Sequence, residues 1–308
     1  MSNNSSADMS LTPPATGPMK DFPCPLCSSD HLKAIYPDNL KGNYPKLGYQ
    51  FSSEYMKTYR VVRCKGCGHM FCTPRHENLF QLYKNVEDPA YLQKSEDRIK
   101  TAKHVLEIIR EHIPSGNLLD IGCATGDFLS VAKDFFKAEG LECSTWASDI
   151  AIKRGLTVHN KPLEQLQTAE KYDVTTLWGV IEHFEDPVKK VCCLKRILKK
   201  GGYVFLWTGD VQGLPAKILG RRWWHFLGQH IQFFSAKSLC RLFENQGFEK
   251  VTIQRYPYVL SLSSIGESLG RYPFIGRIFK AVFVRRVFSQ IYLTLILPGE
   301  MLAIFRKK

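Results

Sequence analysis

Apolar positions along this chain change their spacing several times, and each change marks an element. From 95 to 112 they fall at Ile99, Ala102, Val105, Leu106, Ile108 and Ile109, one face of a helix, and Pro114-Ser115-Gly116 ends the run. Asn117 to Ile121 then reads as a buried strand that delivers a glycine loop, and Phe128 to Phe136 as a helix behind that loop. Strands follow at Lys137 to Leu141, Leu156 to His159 and Tyr172 to His183, the last ending in a polar pair, with a helix from Trp146 to Gly155 between the first two. Asp186-Pro187 opens a further helix with Val188, Val191, Leu194, Ile197 and Leu198 on one face and lysines on the other. Gly201-Gly202 then turns into a fifth strand, Tyr203 to Trp207. Short apolar strands alternating with helices predict an α/β protein with a doubly wound, Rossmann-like parallel sheet.

Ahead of residue 95 the periodicity is lost. Met1 to Lys20 is rich in Ser, Asn, Pro and Thr, has no apolar core like that of a leader, and reads as a disordered tail. Residues 21–75 carry two C-x-x-C pairs, Cys24/Cys27 and Cys64/Cys67, separated by 36 residues. A turn with that spacing aims two thiolates at one ion, and four thiolates complete the closed tetrahedral shell of structural Zn²⁺. Alternation in Tyr59-Arg60-Val61-Val62-Arg63 and the run His69-Met70-Phe71 suggest the short strands of a small zinc ribbon. Reduced or redox cysteines are the alternative, and the long insertion is the weak point of the zinc reading. Residues 76–95 read as a linker with one short helix near Leu79 to Tyr83, and 96–308 as the large domain.

The loop Asp120-Ile121-Gly122-Cys123-Ala124-Thr125-Gly126 carries the first chemical signal. Small residues at the carboxyl edge of a strand let the backbone approach a ligand, with a helix start behind it. An acid two positions before the first glycine would repel a pyrophosphate and suits a cationic ligand. S-adenosylmethionine, with its ammonium and sulfonium groups, therefore fits better than NAD. Glu142, at the tip of the next strand and 22 positions after Asp120, can accept both hydroxyl protons of a ribose, unless it is simply a solvated surface residue.

Charge divides the chain. Up to residue 185 there are 21 Lys and Arg against 23 Asp and Glu; beyond it, 21 against 6, so the net +13 lies in the C-terminal part. Arg271, Arg277, Lys280, Arg285 and Arg286 interleave with bulky apolar residues, no acid occurs from Ser268 to Gly299, and Ile291 to Leu297 is apolar but too short to span a bilayer. This basic amphipathic stretch, 256–298, predicts an anionic membrane surface as partner, lying in the interface rather than crossing it. The ribbon itself is not strongly basic, which makes nucleic acid the less favoured partner.

Taken in order, the motifs D-I-G-C-A-T-G, G-L-E-C-S, Y-D-V-T-T-L-W-G-V-I-E-H-F-E-D-P, L-K-K-G-G and H-I-Q-F-F-S resemble those of class I S-adenosylmethionine-dependent methyltransferases with an N-terminal zinc-ribbon-like segment. The likeness runs from about Cys24 to Arg255, with a last strand near Glu300 to Phe305. It implies a seven-stranded sheet ending in an antiparallel hairpin. It further implies that Asp120, Gly122, Cys123, Ala124 and Gly126 hold the amino-acid part of the cofactor and Glu142 its ribose. Leu163 and Glu164 would sit near the adenine, and Trp178 and Gly179 would line the floor near the sulfonium. Ala124 stands where glycine is commoner, and Lys161-Pro162 where an acid-containing segment is frequent.

Methyl transfer is an in-line displacement, so the protein mainly positions the two partners, with a base where the acceptor is a hydroxyl or carbon acid. His183 and His230 are the candidate bases, each alternatively a hydrogen-bonding anchor for its own turn; Glu182 orients His183 or caps the next helix, and His225 is a weaker candidate. Lys217, Arg221, Arg222, Trp223 and Trp224 fall in 210–235, which reads as a substrate lid. The expectation is a cytoplasmic methyltransferase, at the inner face of a membrane, acting on a small or lipid-linked acceptor such as the sugar of a surface-glycan precursor. The alternatives are a zinc-ribbon nucleic-acid-binding protein and an RNA methyltransferase using the basic C-terminal face.

Overall fold

The computed structural model describes residues 18–49, 55–269 and 290–308. β1 (Leu32–Tyr36), β2 (Val61–Cys64) and β3 (Met70–Cys72) pair antiparallel in that order. In β2 the Val61, Val62 and Cys64 side chains are buried and Arg63 faces solvent. Behind the ribbon come α1 (Leu79–Leu82), two single turns at Tyr83–Asn85 and Pro89–Lys94, and α2 (Ser95–His112), whose first turn carries Glu96 and Asp97 and whose last carries Arg110 and His112, both in the sense the helix dipole favours. Lys20 is tied to Arg75 by two backbone hydrogen bonds of 2.9 and 3.0 Å, so order begins inside the expected tail; residues 1–17 lie outside the described residues.

The large domain runs β4 (Gly116–Ile121), α3 (Leu129–Ala132), β5 (Phe136–Leu141), α4 (Thr145–Lys153), β6 (Val158–His159), β7 (Tyr172–Trp178), α5 (Pro187–Ile197) and β8 (Leu198–Gly209). It continues with α6 (Leu214–Leu219), β9 (Gln232–Phe233), α7 (Ala236–Asn245), β10 (Phe248–Ser261), α8 (Leu262–Leu269) and β11 (Tyr292–Lys307). The seven-stranded sheet has the order β10-β11-β8-β7-β4-β5-β6, with β11 antiparallel between β8 and β10 and β4 to β8 parallel. This is the doubly wound sheet and terminal hairpin that the sequence predicts.

Side chains alternate across the sheet, so each strand feeds two cores. Leu118, Val174 and Phe205 pack with Val105, Leu106 and Ile109 of α2, Leu129 of α3 and Ala151 of α4. Their chain neighbours Leu119 and Leu206, with Leu177, pack on the other face with Val191, Leu194 and Ile197 of α5 and Leu239 and Phe243 of α7. Burying each Leu, Ile, Val or Phe side chain contributes roughly 1.5–3 kcal/mol, which makes the helix pattern a consequence of the sheet it covers.

Four local readings differ from the structure. The helix expected over Phe128 to Phe136 is only the four-residue α3, because Phe136 is drawn into register with Gly116 as the first residue of β5. Phe135 is 40% exposed and lies under the Arg110 guanidinium at 3.9 Å. Gly201-Gly202 sits inside β8 as a bulge: Tyr172 pairs with Leu198 and Val174 with Tyr203, and Gly201 takes φ +77°.

The stretch read as 256–298 is partly hairpin, with Ser261 opposite Tyr292 and Pro257 opposite Ile296, so Tyr292 to Leu297 are strand. Its basic residues Arg271, Arg277, Lys280, Arg285 and Arg286 lie outside the described residues. Within the segment expected as a lid, 210–235, β9 forms the fourth strand of the ribbon sheet, with Met70 opposite Phe233. Trp223, Phe226, Ile231 and Phe233 share a core there with Tyr59, Val61 and Met70.

Candidate active site

β4 lies between β5 and β7, where the order of the sheet reverses, and the carboxyl ends of β4 and β7 open a crevice at that point. The loop after β4 is stitched to the end of β5, with the Gly122 and Cys123 N–H groups donating to Leu141 O at 2.7 and 3.2 Å. Gly122 has φ +69°, and a Cβ on it would lie 2.6 Å from Val180 Cγ2, so only glycine fits. Ala124 also takes a left-handed φ, 46°, which costs a residue with a Cβ about 1–2 kcal/mol. Its N–H is recovered by Glu142, which accepts from it at 2.9 Å and from the Ser144 N–H at 2.8 Å.

Asp120 is buried, accepts from the Thr176 hydroxyl at 2.7 Å, and is pushed by burial up to about 8; Glu142, also buried, is raised for the same reason. Two enclosed carboxylates without a cation are the electrostatic complement of an ammonium and sulfonium. A third observation points the same way: Trp178 Nε1, at the end of β7, is buried with no hydrogen-bond partner. The Trp178 ring lies 5.1 Å from Phe128 and 6.1 Å from Tyr256, an aromatic floor beside Gly179. As a group these residues fit S-adenosylmethionine.

The expected neighbours of the adenine lie in the turn after β6. Leu163 packs into the core on the α5 face, and Glu164 is held by Lys190 Nζ at 2.7 Å. Cys123 turns its thiol onto Gly140, so its share in the crevice is its backbone.

On the other side of Gly179 the turn Ile181–His183 places Glu182, His183 and His230 together, each offering a donor atom within 4.8 Å of the others. The two imidazoles meet edge to face at 4.8 Å. His183 Nδ1 is 2.9 Å from Gln229 O and 3.0 Å from the Tyr83 hydroxyl; His230 Nδ1 is 2.8 Å from His225 O. An Nδ1 that donates to a carbonyl leaves Nε2 as the proton acceptor. Burial holds His183 down at about 4 and His230 well below the ordinary value, so both are neutral near pH 7. Glu182 is pushed up to about 7 by burial; it accepts from the Thr208 hydroxyl at 3.2 Å, and its Oε1 has no partner.

His225 differs from its neighbours. Burial opposes its charging, but the Glu300 carboxylate at 3.0 Å outweighs that and raises it. Glu300, against its own burial, is lowered by the same pair, and it accepts from Trp207 Nε1 at 2.7 Å and Trp224 Nε1 at 2.6 Å. The two shifts favour the charged form of each partner, and the pair is buried under the crevice.

The four ribbon cysteines also converge. Cys24 Sγ is 3.4 Å from Cys67 Sγ and Cys27 Sγ is 3.5 Å from Cys64 Sγ. Each pair sits in a turn closed onto the carbonyl of its first cysteine, from Ser28 N at 2.8 Å and Gly68 N at 2.9 Å, and both closing residues have left-handed φ. Cys72 and His69 are not in this group; His69 Nε2 meets Gln232 Oε1 at 2.9 Å.

Three residues of the crevice carried no signal in sequence. Tyr83 reaches His183 from what reads as a linker, Tyr49 lies beside Glu142 from within the ribbon, and Glu300 closes the base. Only Glu300 could have been flagged, as the first acid after an acid-free run beginning at Ser268.

With this geometry in hand, comparison with known proteins gives the class. The chain belongs to the methyltransferase-domain family, whose domain matches residues 94–253, more than half of its length. A protein of Methanocaldococcus jannaschii, itself uncharacterized, is 30% identical over 151 residues, covering 48% of this chain and 72% of that protein. A ubiquinone biosynthesis O-methyltransferase of Paraburkholderia phytofirmans is 34% identical over 106 residues, 32% of this chain and 46% of that enzyme. The chain therefore spans under half the length of that enzyme. The crystal structure of a SAM-dependent methyltransferase from Archaeoglobus fulgidus shares the fold, with a TM-score of 0.50 at 17% identity over 71% of this chain and 100% of that one. Family and crevice together make the protein an S-adenosylmethionine-dependent methyltransferase. Among the described residues no helix is long and apolar enough to cross a membrane.

Proposed function

We propose that this enzyme methylates a hydroxyl or carbon acid on a small or lipid-linked acceptor, a sugar of a surface-glycan precursor being the kind it fits, with His183 as general base. The observation that carries the reading is the neutral, half-buried His183 imidazole, fixed through Nδ1 beside the Trp178-Gly179 floor. The cofactor supplies an electrophilic methyl group. The chain's own work is to hold Asp120 and Glu142 against the donor, to keep water from the crevice with Trp178, Phe128 and Tyr256, and to accept the acceptor's proton at His183 Nε2. Tyr83 and Gln229 O fix the imidazole ring, and His230 packs against it. The O-methyltransferase names of the relatives favour a hydroxyl acceptor.

Support for a lipid-linked acceptor comes from the surface. Leu214 and Ile218 on α6 are 64% and 71% exposed, and Ile296 on β11 is 57% exposed. The two elements abut where Pro215 meets Gly299, with Lys217 and Arg222 alongside. An apolar ridge with basic flanks suits an anionic bilayer surface, which supports a position at the cytoplasmic face of a membrane. The four converging cysteines support a structural Zn²⁺: an all-thiolate set leaves no open position for chemistry.

The test is transfer of labelled methyl from S-adenosylmethionine into a cell extract, followed by fractionation. Label in the glycolipid or polar-glycan fraction that disappears with His183→Asn supports the reading. Label in RNA, or transfer untouched by that substitution, overturns it.

A further inference from the structure

The 36 residues between the cysteine pairs are more than two metal turns need, and their path gives them a use. Just beyond β1 and β2 the loop is closed at its stem, the Asn39 N–H donating to Thr58 O at 3.1 Å and the Thr58 N–H to Asn39 Oδ1 at 2.8 Å. Its sides are strapped to the large domain by Met56 N–H to Phe226 O at 3.0 Å and by Arg221 to Pro37 O at 2.9 Å. The tip reaches the crevice. There the Gly48 N–H donates to Gln229 Oε1 at 3.0 Å, one residue before His230, and the Tyr49 N–H donates to Asp88 Oδ2 at 3.1 Å.

Those two bonds aim the Tyr49 side chain. Its ring lies 5.0 Å from Tyr91 and 6.4 Å from Trp146, at the start of α4 just past Glu142. Its hydroxyl is enclosed beside Glu142 and Ser144 but makes no hydrogen bond of normal geometry. A phenol hydroxyl enclosed against a carboxylate suited to a ribose is placed to share the same ligand. Glu142 can take two hydroxyl protons, while a phenol can give one hydrogen bond and accept another. Tyr91, in contact with Tyr49, is itself pinned by the Arg98 guanidinium at 3.5 Å, which in turn is paired with Asp127 at 2.7 Å. The aromatic wall therefore has a rigid backing on the large domain and a metal-organised loop in front.

We propose that the ribbon insertion forms one wall of the cofactor pocket and that Tyr49 is a cofactor-binding residue, its hydroxyl bonded to the ribose beside Glu142 and its ring packed on the nucleoside. This rests on the cofactor crevice already described and adds to the ribbon a role beyond stability: the fold around the four cysteines sets the shape of the pocket. Cofactor affinity is then a property of both domains.

The experiment is calorimetric titration of the full-length, metal-loaded protein with S-adenosylhomocysteine. Tyr49→Phe, which keeps the ring, should weaken binding about fivefold, the worth of one hydrogen bond, and Tyr49→Ala about 20-fold. Lys46→Ala, on the same loop but exposed, should leave affinity unchanged. Circular dichroism and melting temperature guard against misfolding, and Tyr49→Phe keeps the test alive if the alanine variant does not fold. Affinities within twofold of wild type for a folded Tyr49 variant would overturn the proposal. Failure of the wild-type protein to bind would instead overturn the methyltransferase reading on which it rests.

Discussion

The two halves of the crevice are both largely enclosed yet electrostatically opposite. Around Asp120 and Glu142, burial raises carboxylates until they resist ionisation; around His183 and His230, it lowers imidazoles until they resist protonation. One half is left wanting a cation and the other is left able to take a proton. Desolvation is the largest cause in both, because it penalises whichever form is charged, and like charges nearby add to it. His225 and Glu300 are the exception that fits the rule: at 3.0 Å from each other, each is shifted toward its charged form against its own burial.

The sharpest way to separate the halves is His183→Asn. Loss of a general base should lower kcat by about 10²–10⁴-fold while cofactor affinity, read by calorimetry, stays within twofold. Comparable losses in both would show that His183 organises the whole crevice. Next in size is Glu300→Ala, which strands a charged His225 and orphans the indole N–H groups of Trp207 and Trp224. Breaking such a buried pair costs about 3–5 kcal/mol, measurable by urea unfolding. The pair's stabilisation is complete only below the unfolded histidine pKa of about 6.5 and is lost as pH rises through the raised value of His225. On the acid side it is present above about 4.5 and lost as pH falls through the lowered value of Glu300.

Asp120→Asn should weaken cofactor binding by roughly 1.5–3 kcal/mol, the worth of a charge-assisted hydrogen bond, and leave His183 chemistry intact at saturating cofactor. The smallest effect is the most diagnostic. Asp120, at about 8 in the free protein, is mostly protonated at pH 7, and a bound cation should lower it. Cofactor binding should therefore release close to ~1 proton at pH 7, seen as a buffer-dependent heat, and none in Asp120→Asn. Because a carboxyl with a raised folded-state pKa binds more protons folded than unfolded, the cofactor-free protein should also lose stability as pH rises from about 3.8 to about 8.

Much of the cofactor half was legible in one dimension, since strand, glycine loop and helix start are contiguous and each obeys a local rule. Leu118 and Leu119 alternate between two cores, Gly122 alone fits beneath Val180, and Asp186 caps α5 by accepting from the Lys189 N–H at 2.9 Å. Where local rules conflict, the reading failed. Phe135 and Phe136 look like one helix face, but parallel pairing with Gly116 takes Phe136 into β5. Gly201 looks like a turn, yet the ladder resumes on both sides of it.

Sequence by itself determined the order of the elements, the acid on the cofactor loop, the paired cysteines and the division of charge, because these depend on spacing along the chain. Tertiary structure decided what meets in the crevice. β9 completes the ribbon sheet from 160 residues away, Tyr83 and Tyr49 arrive from the connector and the ribbon, and Glu300 from the last strand. The physical reason is that a buried polar group must find its partner in space. His183, His225 and Glu142 acquire their ionisation states only from neighbours that chain separation does not reveal.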